Sequence, residues 1–238
     1  MTVNESSGRR SAILAVAFAV ASLVFFLAPP FLPYRFDPYP LINWADVADL
    51  LPPLVLIPLY WFLLADSPGP LTSPWIIAFL VLAAAWADAH GIHLAANAIG
   101  HLLKAQPGAA RDLTEFWDEM FGHYYWHAAV LGLSALVLIR HARTPAPTER
   151  PTWTGLVAAA IYGFTLFLVG NEGGTAPLMV PFAAAVTLAA WPMRRRLLSS
   201  PVLAMFALGY ALALILFAIW FVYWGGRLPQ FSELGWIK

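Results

Sequence analysis

About seven apolar runs, each long enough to cross a bilayer as a helix, follow one another along almost the whole chain. They lie near residues 12–31, 46–65, 75–103, 113–140, 153–170, 176–192 and 200–224. Away from water such a run satisfies its own backbone only by coiling into a helix. What remains between the runs is too short for a separate soluble domain. The pattern predicts an all-α integral membrane protein, with about seven transmembrane helices in a single bundle forming one polytopic domain over residues 1–238. Composition agrees. The chain is 61% hydrophobic and 11% charged, against about 25% charged in a typical soluble domain. The expected surroundings are a lipid bilayer, in a cell membrane.

Charge and cysteine content narrow the function. The formal net charge is zero, which gives a nucleic-acid partner no support. The absence of cysteine excludes thiolate metal sites, a cysteine nucleophile and disulfides. Arg9 and Arg10 precede SAILAVAFAVASLVFFLAPP, a run nearer a full span than a short signal-peptide core, so it is read as an anchor and first span. With the N-terminus cytoplasmic, the inner side carries Arg9, Arg10, Arg140, Arg143, Arg150 and Arg194–Arg196. The outer side carries Arg35, Lys104, Arg111, Arg227 and Lys238. Eight against five follows the positive-inside bias and puts the C-terminus outside.

Proline and glycine punctuate the runs. FLAPPFLPYRFDPYPLINW reads as an aromatic-rich interfacial loop. LLPPLVLIPLYWFLL places Pro52, Pro53 and Pro58 inside an apparent span, where each removes a backbone donor and bends a helix. VGNEGGTAP separates the fifth and sixth runs and contains Glu172.

Five of the six histidines fall in the third and fourth runs, which the connection KAQPGAARD joins. Counting outward from Gly108, His101 is level with Glu115, Asn97 with Glu119, His93 with His123, and His90 roughly with His127. At roughly 100° per residue, His90, His93, Asn97 and His101 share one helix face, and Asp88 lies opposite. Glu115, Glu119, His123 and His127 share a face of the partner helix, with Trp126 beside them. His90 to His101 spans roughly 16 Å, too far for one ion whose ligand bonds are about 2 Å. The compact group is therefore His90, His93, Asn97, Glu119, His123 and His127, with His101 and Glu115 as outer supports. His93 stands about 27 Å above the inner end of its helix by helical rise, so the group belongs to the outer half of the bilayer and opens outward. Asp46, Asp49 and Glu172 fall near outer helix ends. Asp46 and Asp49 suit helix starts, but any of the three can complete a coordination sphere or act as a general base.

Imidazole and carboxylate inside a span are costly and mark function by default. The pattern predicts a divalent metal held by His90, His93, His123 and His127, zinc first, with iron or copper as alternatives. Glu119 is the expected catalytic proton shuttle, and Asn97, His101, Glu115, Trp126 and Glu172 support the site. The expected reaction is metal-dependent hydrolysis of a lipidic substrate. Three other readings compete: a redox protein binding haem or metal, a proton or cation transporter, and a structural membrane subunit in which the ladder is polar glue. Against transport, only Ser134 continues the polar path inward. His141, beside Arg140, reads as an interfacial residue.

The motifs HGIHLAANAIGH and DEMFGHYYWHAA stand in a plan similar to that of the seven-helix metal hydrolases related to alkaline ceramidases and adiponectin receptors. The similarity is one of architecture. That superfamily's ligand arrangement, with a serine, an aspartate and separated histidines, is not present here. No residue role is carried over from it.

Overall fold

The computed structural model describes residues 3–32, 34–37, 39–144 and 153–237. The chain forms a helical bundle, and seven of its helical stretches are long and apolar enough to cross a membrane. Helix α1 is Val3–Leu27. A short antiparallel pair follows, β1 at Arg35–Phe36 and β2 at Tyr39–Asn43. The second span is two helices, α2 (Trp44–Ala48) and α3 (Leu51–Asp66). Helix α4 is Ser73–Leu103. The fourth span is composite: α5 (Ala109–Glu115), a π-helical stretch (Phe116–Gly122), then α6 (His123–Arg143). Helices α7 (Trp153–Glu172) and α8 (Ala176–Ala190) are followed by a short α9 (Arg194–Leu197) and by α10 (Pro201–Tyr223).

Each expected span has its counterpart, and the departures have local causes. Helix α1 starts well before residue 12, and two of its polar residues there have partners. The Arg10 Nε donates to Asp66 at 2.6 Å, and the Ser11 hydroxyl donates to the other oxygen of the same buried carboxylate. The second span breaks at Asp49–Leu50 rather than bending at three prolines. Pro52 and Pro53 sit in the first turn of α3, where a missing N–H costs little, and only Pro58 lies in the helix interior. Arg140 and His141 have a structural role the sequence does not show. Both are buried and cap the C-terminus of α3. Arg140 donates to the carbonyls of Leu64, Ser67, Gly69 and Pro70, and His141 Nε2 donates to that of Leu63 at 2.9 Å. A cation over otherwise orphaned helix carbonyls is a favourable C-terminal arrangement.

The core surrounds α10, which packs most extensively on α7. A Cβ on Gly163 would come within 2.4 Å of the Gly209 carbonyl oxygen, so the two backbones touch through small residues as membrane helices commonly do. At mid-bundle Tyr60, Tyr162 and Tyr210 are fully buried and joined through Ser134. Tyr60 Oη is 2.8 Å from Ser134 Oγ, Ser134 Oγ is 3.2 Å from Tyr162 Oη, and Tyr162 Oη is 3.4 Å from Tyr210 Oη. Ser134 also donates to the Val130 carbonyl at 3.0 Å. The lone inward hydroxyl expected from the sequence is thus one member of a four-residue knot drawn from α3, α6, α7 and α10.

Candidate metal centre

The site is built on the hairpin of α4 with the composite fourth span, and its register is the one the sequence predicts. A Cβ on Gly100 would meet Thr114 at 3.5 Å, one on Gly122 would meet His93 Cβ at 3.1 Å, and one on Gly132 would meet Leu82 at 2.5 Å. The rings of His93 and His123 lie 4.5 Å apart, centroid to centroid. His90 follows at 6.0 Å from His93, and His127 at 6.0 Å from His123. Four imidazoles therefore run in one row across the hairpin. Trp126 is their common wall, with its ring 4.6 to 5.9 Å from all four.

The carboxylate facing this row is Asp118. Its Oδ1 lies 2.6 Å from His93 Nδ1, and His93, Asp118 and His123 each offer a ligand atom within 4.8 Å of the other two. The cause is the π-helical stretch. Its last carbonyl pairs run five residues back, as from the His123 N–H to the Asp118 oxygen. A turn of that width sets residues i and i+5 on one face, which brings Asp118 under His123. Helical counting at 100° per residue puts Asp118 well round from His123. It was therefore missed, although the adjacent acidic pair Asp118–Glu119 was the available signal. Gly122 closes this stretch against His93. A side chain there would lie 2.7 Å from the Trp117 carbonyl oxygen.

Asp49 enters from the broken second span. In a continuous helix the Pro53 nitrogen would bond the Asp49 carbonyl, and proline has no hydrogen to give. That carbonyl accepts instead from His90 Nε2 at 2.5 Å. The Asp49 carboxylate oxygens stand 3.7 Å from His90 Nε2 and 3.6 Å from His93 Nε2. Because a carbonyl can only accept, His90 carries its hydrogen on Nε2, which leaves the Nδ1 lone pair unused. On the far side the loop after α7 completes the enclosure. His127 Nδ1 is 2.6 Å from Thr175 Oγ1, whose hydroxyl reaches the Gly170 carbonyl at 3.4 Å. The Gly173 backbone lies against the His127 and His123 rings.

The other expected site residues are placed as follows. Glu119 is half exposed, with Oε2 3.4 Å from His123 Nδ1, at the mouth of the row. Asn97 is half-buried on α4, and His101 is exposed one turn further out. Glu115 is exposed and paired with Arg111 at 2.6 Å. Glu172 does not face the row. Its carboxylate accepts from the backbone N–H groups of Phe231 at 2.7 Å and Ser232 at 3.2 Å, tying down the C-terminal segment. Asp46 takes the helix-start role, accepting from the Asn43 backbone N–H at 2.8 Å. Asp88 is exposed on the opposite side of α4.

These residues suit a divalent cation. Buried and without hydrogen-bond partners among the described residues are His90 Nδ1, His93 Nδ1, Asp118 Oδ1, His123 Nδ1 and His127 Nε2. His93 Nδ1 and Asp118 Oδ1 face each other as an ion pair at 2.6 Å, and His123 Nδ1 has Glu119 Oε2 at 3.4 Å. Polar atoms so buried are normally paired, and nitrogen plus carboxylate oxygen is a donor set that zinc and its neighbours accept. Ligand atoms around an ion with bonds near 2 Å stand at most about 4 Å apart, so a closure of roughly 1 Å would complete the group.

A helical bundle carrying a His93–Asp118–His123 group in the hairpin of α4 with the fourth span is the class that the fold and the geometry define. Set against known protein families, curated proteins and solved structures, the chain matches none.

Proposed function

We propose that this chain is a multi-pass membrane metalloprotein that uses a divalent metal, zinc first, to hydrolyse a lipidic substrate. The observation that carries the reading is the gathering of His93, Asp118 and His123, each with a ligand atom within 4.8 Å of the other two. The bilayer setting follows from composition, since seven helices are long and apolar enough to span it. The N-terminus is cytoplasmic and the C-terminus extracytoplasmic, in a cell membrane. His93 is then 20 residues above Ser73, about 30 Å by helical rise, which is the thickness of the hydrocarbon core. The site sits at the outer edge of that core, where an amphiphile's polar linkage would lie.

His93, Asp118 and His123 hold the ion. When bound, it acidifies water and polarises a carbonyl. Glu119 at the mouth takes the proton that water gives up and returns it to the leaving group, and its partial exposure lets it meet both water and substrate. Asp49 fixes the His90 ring through its carbonyl and faces His93 through its carboxylate, the outer support that metal-bound imidazoles commonly receive. Trp126 keeps the row of rings in place. Below the row, a small cavity is lined by His127, Tyr60, Tyr162, Thr165 and apolar side chains that include Phe18 and Leu56.

Metal analysis of the purified, folded protein by mass spectrometry tests the reading. Stoichiometric metal is expected in the native chain and should be lost in His93→Ala and His123→Ala without loss of the bundle. A folded native chain free of stoichiometric metal would overturn it. Hydrolysis is tested separately by Glu119→Gln, which should keep the metal and lose turnover of lipid esters or amides.

A further inference from the structure

A second feature lies at the other end of the bundle, between the C-terminal halves of α6 and α8. The two helices leave an open groove of about 290 Å³ between them. Small residues make it: Ala135 and Ala142 on α6, Ala185 and Ala189 on α8. Behind it, Leu138 and Ala142 pack on the cluster formed by Ala190, Leu197, Leu203 and Ala207, which holds the two helices in place. The groove runs from Phe182 to Met193, roughly 16 Å at the helical rise. It is long, narrow and apolar, which is the shape of an extended hydrocarbon chain.

Directly after Met193 come Arg194, Arg195 and Arg196. Arg196 is committed to the fold. Its Nη1 donates to the Ala142 carbonyl at 3.1 Å and its Nη2 to that of Thr144, which ties the end of α6 to α9. Arg194 is steadied on the Trp191 ring, 5.3 Å from the centroid, and donates to the Trp191 carbonyl at 3.2 Å. Arg195 is exposed and makes no hydrogen bond or ion pair among the described residues. No carboxylate among the described residues pairs with any of the three. An apolar slot with an uncompensated guanidinium rim is complementary to an amphiphile with a negative head.

We propose that the α6–α8 groove binds one acyl chain of an anionic phospholipid, with its phosphate against Arg194 and Arg195. The inference rests on the membrane reading and is independent of the metal. Basic recesses between membrane helices on the cytoplasmic side are suited to such headgroups, and each nearby arginine adds attraction for them. A zwitterionic lipid sets its own ammonium near the same guanidinium groups and gains less.

The test uses the full chain in detergent, with phosphatidylglycerol, phosphatidylcholine and inorganic phosphate added separately. Retained adducts are read by native mass spectrometry and stabilisation by thermal unfolding. Phosphatidylglycerol should be retained and should raise the unfolding temperature. Phosphatidylcholine should bind roughly tenfold or more weakly, and phosphate alone should do neither. The R194A/R195A double variant should lose the preference between lipids. Ala189→Phe, which fills an exposed groove without touching the core, should lose phosphatidylglycerol with the fold intact. Equal retention of the two lipids, an unchanged preference in R194A/R195A, or stabilisation by phosphate alone would each overturn the proposal. Recovery of the chain without detergent would instead sink the membrane reading beneath it.

Discussion

Two of the polar clusters inside this bundle, the tyrosine knot and the histidine row, close differently. In the Tyr60–Ser134–Tyr162–Tyr210 knot each hydroxyl has a partner, and four helices are fastened together by it. In the His90–His93–His123–His127 row at least one nitrogen of each ring is buried without a hydrogen bond among the described residues, and so is an oxygen of Asp118. Single atoms elsewhere, such as Trp86 Nε1 and Asn171 Oδ1, are also left without one, but in the row five such atoms are gathered in one place. A closed network contributes rigidity, whereas an open one holds lone pairs ready for something the chain does not itself supply.

The contrast can be broken experimentally, most sharply at Asp118. Asp118→Asn removes the one carboxylate that converges with His93 and His123. It should lower metal affinity by more than the roughly 100-fold that loss of an outer partner costs, as read by metal titration, with little change in thermal unfolding. Unchanged affinity would mean that Glu119 or Asp49 is the true carboxylate partner. Pro53→Ala comes next. Restoring a backbone donor lets α3 claim the Asp49 carbonyl and draws the Asp49 carboxylate away from the His93 ring it faces, so affinity should fall about 10-fold to 100-fold. In the knot the expectation reverses. Tyr162→Phe should leave metal content untouched and destabilise the fold by about 1–3 kcal/mol, because Ser134 and Tyr210 lose a partner in an apolar interior. Metal loss in that variant would show the clusters to be coupled. Least of all, Glu115→Gln breaks an exposed pair with Arg111 and should change stability by no more than about 0.5 kcal/mol and metal affinity not at all.

Much of the hairpin was legible in the sequence because its signal is local. Apolar run lengths placed the spans, and counting from Gly108 placed His93 opposite His123. What the sequence hid depends on departures from regular helix. Asp118 turns inward only because residues 116–122 wind more widely than an α-helix, and nothing in FWDEMFG announces that winding. Asp49 is in view from the sequence as a helix-end carboxylate, but that two prolines downstream leave its carbonyl to His90 becomes visible only with the partner helix in place. Glu172 misled by proximity. The loop that carries it does wall the site, through Gly173 and Thr175, while its own carboxylate faces the C-terminal segment.

The π-helical stretch makes the site a matter of arithmetic along the chain. Wider turns mean that Phe116–Gly122 holds about one residue more than an α-helix would need to cover the same rise. Delete a residue there and the stretch can relax to ordinary winding. If the deletion falls between Asp118 and His123, the carboxylate then stands four residues before the histidine, and four residues at about 100° each still share a face. The same meeting can therefore be kept in two ways, by five residues with wide winding or by four with ordinary winding. A comparison of chains of this kind should accept either spacing before it judges the residues absent.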